Sequence, residues 1–182
     1  MSVFRINLTG AAVSVALMAA PVSHADETIE VDMYKATTEG RSEAIGTVTL
    51  EEHRYGTLIK PSLEGLSPGL HGFHLHENPS CEPAMKDGKQ TPAASAGGHV
   101  DPEDTNAHRG PYDPDGHLGD LPALVASRNG EAILANLAPR LTLDDMQGHA
   151  LVIHEGGDNY SDDPRPLGGG GARVACGVIS GD

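Results

Sequence analysis

The stretch His71-Gly72-Phe73-His74-Leu75-His76-Glu77 carries the strongest structural signal in this chain. His74 and His76 are two residues apart, and side chains at i and i+2 share one face of a β-strand but not of a helix. Phe73 and Leu75 would then pack on the opposite face. A strand that presents two imidazoles on one side can supply two nitrogen ligands to one metal ion. For this pair alone, two solvated histidines on an exposed strand are the alternative.

Short β-like segments recur along the rest of the chain and predict an all-β protein. They lie at 29–33, 45–50, 55–59, 123–126, 132–137, 150–154 and 173–179. The Asn129-Gly130 pair predicts a turn that joins 123–126 and 132–137 in a hairpin. Only residues 142–148 have helical character. Many short strands separated by turn signals predict a β-sandwich or β-barrel.

Two long polar segments, 78–121 and 155–172, do not fit strands because they are rich in Gly, Pro and Asp. Loops of this length in a compact domain are usually functional or disordered. The histidines and the cysteine that they carry favour loops held in place by metal and by a disulfide.

The N-terminus predicts export. Arg5 supplies a positive charge, residues 8–20 are apolar or small, and a small-residue motif ending at Ala25 suits a signal peptidase. We expect a cleaved signal peptide at 1–25 and a single domain at 26–182. No later segment is apolar enough to cross a bilayer, so we expect no membrane association after cleavage.

Composition and cysteine content restrict the partners further. The net charge of −14 makes nucleic acid and acidic membranes unsuitable partners, and a small anionic substrate would need local positive charge. Trp is absent and aromatic residues make up 3%, so the core must consist of Val, Ile, Leu and Ala. An exported chain with two cysteines, Cys81 and Cys176, most simply forms one disulfide. Two thiolate metal ligands are the alternative.

The other histidines indicate a site for two metal ions. His99, His108 and His117 follow one another at intervals of nine residues in the first long segment, Asp120 comes three residues later, and His154 ends a strand. Imidazole suits copper and zinc, and a carboxylate can complete a tetrahedral zinc site. The set can serve two ions if one histidine bridges them through its two ring nitrogens.

Five ordered motifs make the chain resemble the bacterial copper/zinc superoxide dismutases. They lie at 69–76, 97–102, 116–121, 156–162 and 168–179, within a resemblance that runs from about 46 to 179. The resemblance implies an eight-stranded Greek-key β-barrel with two long functional loops, located in the periplasm as a monomer or homodimer. It implies dismutation of superoxide to dioxygen and hydrogen peroxide by a redox-cycling copper ion, bridged through a histidine to a structural zinc ion. Each subunit would hold one copper and one zinc.

Transferred residue by residue, the resemblance implies two ligand sets that share His99. The copper ligands would be His74, His76, His99 and His154, and the zinc ligands would be His99, His108, His117 and Asp120. His99 would also take part in catalysis, and Cys81 and Cys176 correspond to the family disulfide.

The resemblance also implies roles for four residues around the metals. Asp158 would accept hydrogen bonds from one copper histidine, His74, and one zinc histidine, His108. Arg173 would lie beside copper and bind superoxide, and Lys86 and Lys89 would steer the anion. Taken alone, each of the four has the alternative of a solvated surface position.

Two other functions fit part of the pattern. A non-catalytic periplasmic protein that binds copper and zinc would need the ligands, but neither Arg173 nor a bridging His99. A zinc hydrolase needs an open position on the metal, whereas the expected ligands fill all four. The prediction is therefore an oxidoreductase.

Overall fold

In the computed structural model, which describes residues 28–181, β-strands dominate. The strands are β1 (Thr28–Thr37), β2 (Gly40–His53), β3 (Gly56–Leu63), β4 (Gly69–His71), β5 (Phe73–His76), β6 (Ala84–Lys86), β7 (Lys89–Thr91), β8 (Leu124–Ala126), β9 (Asn136–Ala138), β10 (Ala150–His154) and β11 (Arg173–Val178). Single 3₁₀ turns lie at Ala94–Ala96, Asp144–Met146 and Leu167–Gly169. Across 28–181, no helix has the length and apolar character needed to cross a membrane. The expected signal peptide at 1–25 lies outside the described residues.

The strands form a curled antiparallel barrel with Greek-key connections. The main sheet has the order β5-β10-β11-β1-β2-β3-β9, and β4 pairs with β8. Because β4 and β5 are one strand interrupted at Gly72, and β6–β7 is a separate hairpin in the first long loop, the described barrel has eight strands. The neighbours β5–β10 and β3–β9 are not consecutive in the chain, as a Greek key requires. The predicted fold class is confirmed.

Alternate residues of the strands fill the core, and most of them are aliphatic, as the composition requires. The fully buried members include Met33, Leu50, Ile59, Leu63, Phe73, Leu75, Leu151 and Ile153. Each buried side chain of this size contributes about 1.5–3 kcal/mol of apolar transfer free energy. Phe73 and Leu75 point into this core, so the opposite face of β5 is left for His74 and His76.

The hairpin predicted for 123–137 forms only at its turn. The amide of Gly130 donates to the Ser127 carbonyl at 3.0 Å, and the amide of Ser127 donates to the Glu131 carbonyl at 2.8 Å. Beyond the turn the two strands separate, because β8 pairs with β4 while Ala132 and β9 pair with β3. The turn prediction was correct, and the prediction that the two strands pair along their length was wrong.

The two cysteines form the disulfide Cys81–Cys176, with Cα atoms 5.7 Å apart. It ties the first long loop to β11. Ala93, Ala96 and Val152 pack around the bond in a small buried cluster. The thiolate-ligand alternative is therefore wrong.

Candidate metal centre

Three of the expected copper ligands lie on the barrel strands. In the antiparallel pairing of β5 with β10, His74 is opposite Val152 and His76 is opposite Ala150. His154 ends β10, and its amide donates to the Gly72 carbonyl at 2.8 Å. All three imidazoles are buried. Their relative positions are therefore set by the sheet itself.

The first long loop returns to the free edge of β5 and brings two further ligands with it. The amide of Leu75 donates to the Gly119 carbonyl at 2.8 Å, and the amide of Val100 donates to the Leu75 carbonyl at 3.0 Å. A Cβ atom at Gly119 would overlap the Leu75 carbonyl oxygen, so this close approach needs glycine. As a result, the backbone of His99 forms an isolated antiparallel β-bridge with that of His76, and the backbone of Asp120 forms one with that of His74.

Four imidazoles converge in the first cluster. Among residues 28–181, the buried side-chain nitrogen and oxygen atoms without a hydrogen-bond partner are Nδ1 of His74 and Nε2 of His76, His99 and His154. Each of these residues offers a ligand atom, and the four atoms lie within 4.8 Å of one another. Buried polar atoms are rarely unpaired, and four together need an explanation. A metal cation that accepts four nitrogen lone pairs fits this arrangement.

The opposite nitrogen of each ring is already engaged. Nδ1 of His76 lies 3.1 Å from the Gly97 carbonyl oxygen, and Nδ1 of His154 lies 3.2 Å from that of Gly171. A ring nitrogen that donates its proton to an oxygen leaves the other nitrogen free to bind a metal. These contacts therefore orient the rings toward the cluster.

The second cluster centres on Asp120. Its Oδ1 atom lies 2.9 Å from Nδ1 of His99, 2.9 Å from Nδ1 of His108 and 3.3 Å from Nδ1 of His117. Its Oδ2 atom accepts hydrogen bonds from the amides of Arg109 and Gly110, at 3.1 and 3.0 Å. Oδ2 is thus fixed by the backbone, and Oδ1 faces three imidazoles, which is a donor set that suits zinc.

A second group of ligand atoms that all lie within 4.8 Å of one another differs from the expected zinc set in one member. It consists of His74, His99, His108 and Asp120, with His74 in place of His117. The Nε2 atom of His74 contacts Asp158 and its Nδ1 atom belongs to the first cluster, whereas Nδ1 of His117 points at Asp120. The directions of the ring nitrogens therefore favour His117 as the fourth member.

His99 belongs to both clusters. Its Nε2 atom is among the unpaired nitrogens of the first cluster, and its Nδ1 atom faces Asp120 in the second. One imidazole can therefore bridge two ions.

Asp158 links the two clusters a second time. Its Oδ2 atom lies 2.7 Å from Nε2 of His74, and its Oδ1 atom lies 2.8 Å from Nε2 of His108. The amide of Tyr160 also donates to Oδ1 at 2.7 Å. A Cβ at Gly168 would overlap Oδ1, so a glycine is needed beside this carboxylate. The two partners are those that the resemblance implied.

Burial and the neighbouring charges set the protonation of the centre. Burial, with the neighbouring His99, lowers the pKa of His74 to about 3. Burial also lowers the pKa of His154 to about 4 and holds that of His76 well below its usual range. At neutral pH these rings are uncharged, which is the form that binds metal.

In the second cluster the carboxylates dominate. Burial opposes protonation of His108, yet its hydrogen bonds to Asp120 and Asp158 raise its pKa to about 9. Burial would raise the pKa of both carboxylates, but hydrogen bonds from the histidines hold each well below its usual range. Asp120 and Asp158 are therefore both ionised, and together they favour a positive charge at the second cluster, either a protonated His108 or a divalent cation.

Arg173 lies beside the first cluster on a surface cavity. Its Nη1 and Nη2 atoms donate to the carbonyls of Ala93 and Gly97, both at 2.6 Å. The cavity is lined by His76, His99, His154, Met85, Lys86 and Arg173, among others. Lys86 thus reaches the same opening as the imidazoles. Lys89 is paired with Lys86 across the β6–β7 hairpin and is not among the lining residues.

Sequence reasoning missed two residues that hold the loops. Asp162 accepts hydrogen bonds from the amides of His108 and Leu167, both at 2.9 Å, and so joins the two long loops. Arg140 donates to four backbone carbonyls of the first long loop. Asp162 ends one of the five motifs, whereas Arg140 follows Pro139 outside all of them.

The fold is an antiparallel barrel, and one imidazole, that of His99, joins two buried clusters of ligand atoms. These two features are those of a β-barrel protein with a site for two metal ions. Residues 44–179 match the family described as copper/zinc superoxide dismutase. Superoxide dismutase [Cu-Zn] 1 of Salmonella typhimurium is 56% identical over 156 residues, which are 85% of this chain and 88% of the relative. The chain belongs to the copper/zinc superoxide dismutase family, so the resemblance is confirmed, and it is an oxidoreductase whose cofactors are copper and zinc.

Two solved structures show the same likeness in three dimensions. The Cu/Zn superoxide dismutase from Brucella abortus has a TM-score of 0.83 and 52% identity, covering 85% of this chain and 100% of that one. The solution structure of the monomeric copper, zinc superoxide dismutase from Salmonella enterica has a TM-score of 0.76 and 51% identity, with the same two coverages.

Proposed function

We propose that this protein dismutates superoxide at a copper ion held by the four residues of the first cluster, with zinc in the second. Copper would be bound by His74, His76, His99 and His154, and zinc by His99, His108, His117 and Asp120. The observation that carries the proposal is the convergence of four unpaired buried nitrogens, one of them on a ring whose other nitrogen faces Asp120. When bound, copper supplies a one-electron redox change, while zinc is redox-inert.

Arg173 is the proposed binding residue for the superoxide anion. A guanidinium has five N–H donors in a rigid plane, and within residues 28–181 two of its nitrogens donate, one to the Ala93 carbonyl and one to the Gly97 carbonyl. Those two bonds fix its position on the cavity that the copper-side imidazoles also line. A fixed positive charge there would bind and orient a small anion.

His99 is the proposed site of proton transfer. Its Nε2 atom faces the first cluster, and the ring is held on its other side by Asp120. When it does not bind copper, Nε2 could take up a proton and release it toward the cavity, and the ring would keep its orientation because Nδ1 is held at the second cluster. Dismutation consumes two protons for each pair of superoxide ions, so a proton carrier at this position has a direct role.

We further propose that the chain is exported to the periplasm and cleaved after Ala25. The Cys81–Cys176 disulfide supports an oxidising compartment. The similar protein from Salmonella enterica is described as monomeric. For this chain we propose a monomer or a homodimer, which sedimentation of the mature protein would distinguish.

The proposal is tested by measuring superoxide dismutation by the mature protein after loading with copper and zinc. The unmodified protein is compared with the variants His76→Ala and His53→Ala. His53 is an exposed histidine at the end of β2 and serves as the matched control. We expect His76→Ala to lose copper and activity and His53→Ala to keep both. Equal activity in His76→Ala would remove that ligand from the site. Full metal content without turnover in the unmodified protein would favour the non-catalytic metal-binding alternative.

A further inference from the structure

Arg140 makes an unusual set of contacts with the loop that carries most of the proposed zinc ligands. We call residues 108–120 the zinc loop. The Nε atom of Arg140 donates to the Pro111 carbonyl at 3.2 Å, and Nη1 donates to the Gly116 carbonyl at 3.1 Å. Nη2 donates to the carbonyls of Gly110, at 3.5 Å, and His117. One guanidinium therefore holds four backbone oxygens of this loop.

The four oxygens come from the two ends of a turn. Gly110 and Pro111 enter it, and Gly116 and His117 leave it. His108 lies just before the first end, and His117 is itself at the second. Arg140 thus fixes the distance between the backbone segments that carry these two proposed ligands.

Arg140 is in turn anchored to the barrel. It follows β9, whose Ala138 pairs with Thr57, and the hydroxyl of Thr57 donates to the Leu141 carbonyl at 2.9 Å. Both Ala138 and Leu141 are buried. The guanidinium therefore extends from a rigid part of the protein toward the loop.

The contacts of Arg140 complement those of Asp120. The Asp120 carboxylate accepts hydrogen bonds from the amides of Arg109 and Gly110, and the Arg140 guanidinium donates a hydrogen bond to the carbonyl of Gly110. Protein groups thus satisfy the amides of Arg109 and Gly110 and the four carbonyls that Arg140 contacts. None of these contacts to Arg140 involves a zinc-ligating atom, so they can form without the metal.

We propose that Arg140 is a positioning residue for zinc, which orders the zinc loop so that His108 and His117 are held near their binding positions before the ion arrives. Ordering a loop costs conformational entropy, and a site that is already ordered binds more tightly. Only arginine offers enough donors in a fixed plane for four carbonyls. The inference rests on the zinc assignment of the proposed function.

The test compares Arg140→Met, Arg140→Lys and the control Arg128→Met, in which an exposed arginine of the 127–130 turn is replaced. Zinc affinity is measured by competition with a chromophoric chelator, and the absorption spectrum of Co²⁺ in the zinc site reports its geometry. We expect Arg140→Met to weaken zinc binding by about ten- to a hundredfold and to alter the Co²⁺ spectrum. Arg140→Lys should recover part of the affinity, since an ammonium can hold some of the carbonyls.

Copper affinity and the thermal midpoint of the metal-free protein separate positioning from general stability. His74, His76 and His154 lie on strands, so Arg140→Met should leave copper affinity close to that of the control. Unchanged zinc affinity and Co²⁺ spectrum would overturn the proposal, as would an equal loss of both metals together with a lower midpoint. If the unmodified protein and Arg128→Met failed to bind zinc tightly, the zinc assignment itself would be overturned.

Discussion

Replacing both Cys81 and Cys176 by alanine would remove the covalent link between the first long loop and β11. The bond joins positions 95 residues apart, and the chain-entropy account assigns roughly 4.7 kcal/mol to a loop of about 100 residues. At about 2–4 °C per kcal/mol for a domain of this size, the melting temperature should fall by roughly 9–19 °C. The metal-free protein is the form to measure, because bound metals add stability of their own.

The same substitution should also affect Arg173. Its guanidinium is held by the carbonyls of Ala93 and Gly97, and Ala93 packs in the buried cluster around the disulfide. Without the bond, the loop that supplies both carbonyls is free to move away from β11. We expect dismutation by the loaded double variant to fall while copper content is retained, since three of the four proposed copper ligands lie on strands and do not depend on the bond.

Urea unfolding of the metal-free double variant checks the magnitude, with Val152→Ala as the matched control. Val152 belongs to the same buried cluster, so its truncation reduces packing without removing a cross-link. A cross-link acts mainly on the unfolded chain, so its loss should steepen the dependence of the unfolding free energy on urea, because more surface becomes exposed. A loss no larger than that of Val152→Ala, with an unchanged urea dependence, would refute this reasoning and assign the effect to packing.

Two further outcomes follow from the charges around the centre. Lys86→Gln should lower the association rate with superoxide severalfold and weaken the salt dependence of that rate. Lys89→Gln should have a smaller effect, because Lys86 lines the cavity and Lys89 does not. Pulse radiolysis at varied ionic strength measures both rates, and equal effects would contradict a steering role specific to Lys86. The metal-free protein should lose stability as the pH falls from 6.5, since burial lowers the pKa of His74 to about 3 and of His154 to about 4, so the unfolded chain binds protons first. His154 alone should lower the free energy of unfolding by about 3 kcal/mol at pH 4. His108, with its pKa raised to about 9, acts in the opposite direction, so its contribution is present below pH 6.5 and is lost as the pH rises through 9; a flat profile of urea midpoints from pH 4 to 10 would contradict both.

The arrangement of side chains on β5 could be predicted from the sequence, because the alternation of side chains along a strand depends only on neighbouring residues. The two-residue spacing predicted that His74 and His76 share a face and that Phe73 and Leu75 pack behind them, and the structure has this arrangement. Periodicity could not show which strands pair. The predicted hairpin at 123–137 separates beyond its turn, because β8 and β9 pair with strands far away in the chain.

The residues that hold the loops were less visible because their partners are backbone groups. Every residue has a carbonyl, so nothing in the sequence shows which of them Arg140 contacts. In the same way, Lys86 and Lys89 are alike in type and close in sequence, and only the geometry of the β6–β7 hairpin places one of them on the cavity.

The two metal sites face different physical problems, which explains why the loop has so many anchors. Sheet hydrogen bonds already fix three of the proposed copper ligands, whereas three of the proposed zinc ligands lie between residues 108 and 120 of a loop that runs from 78 to 121. The cost of closing a free segment rises with its length, and each anchor divides the loop into shorter segments. The disulfide at Cys81, the pairing of Gly119 with β5, Asp162 and Arg140 each provide such an anchor. A zinc ion bound at the second cluster would then have little chain left to order, and it would hold His99 in place beside the first cluster.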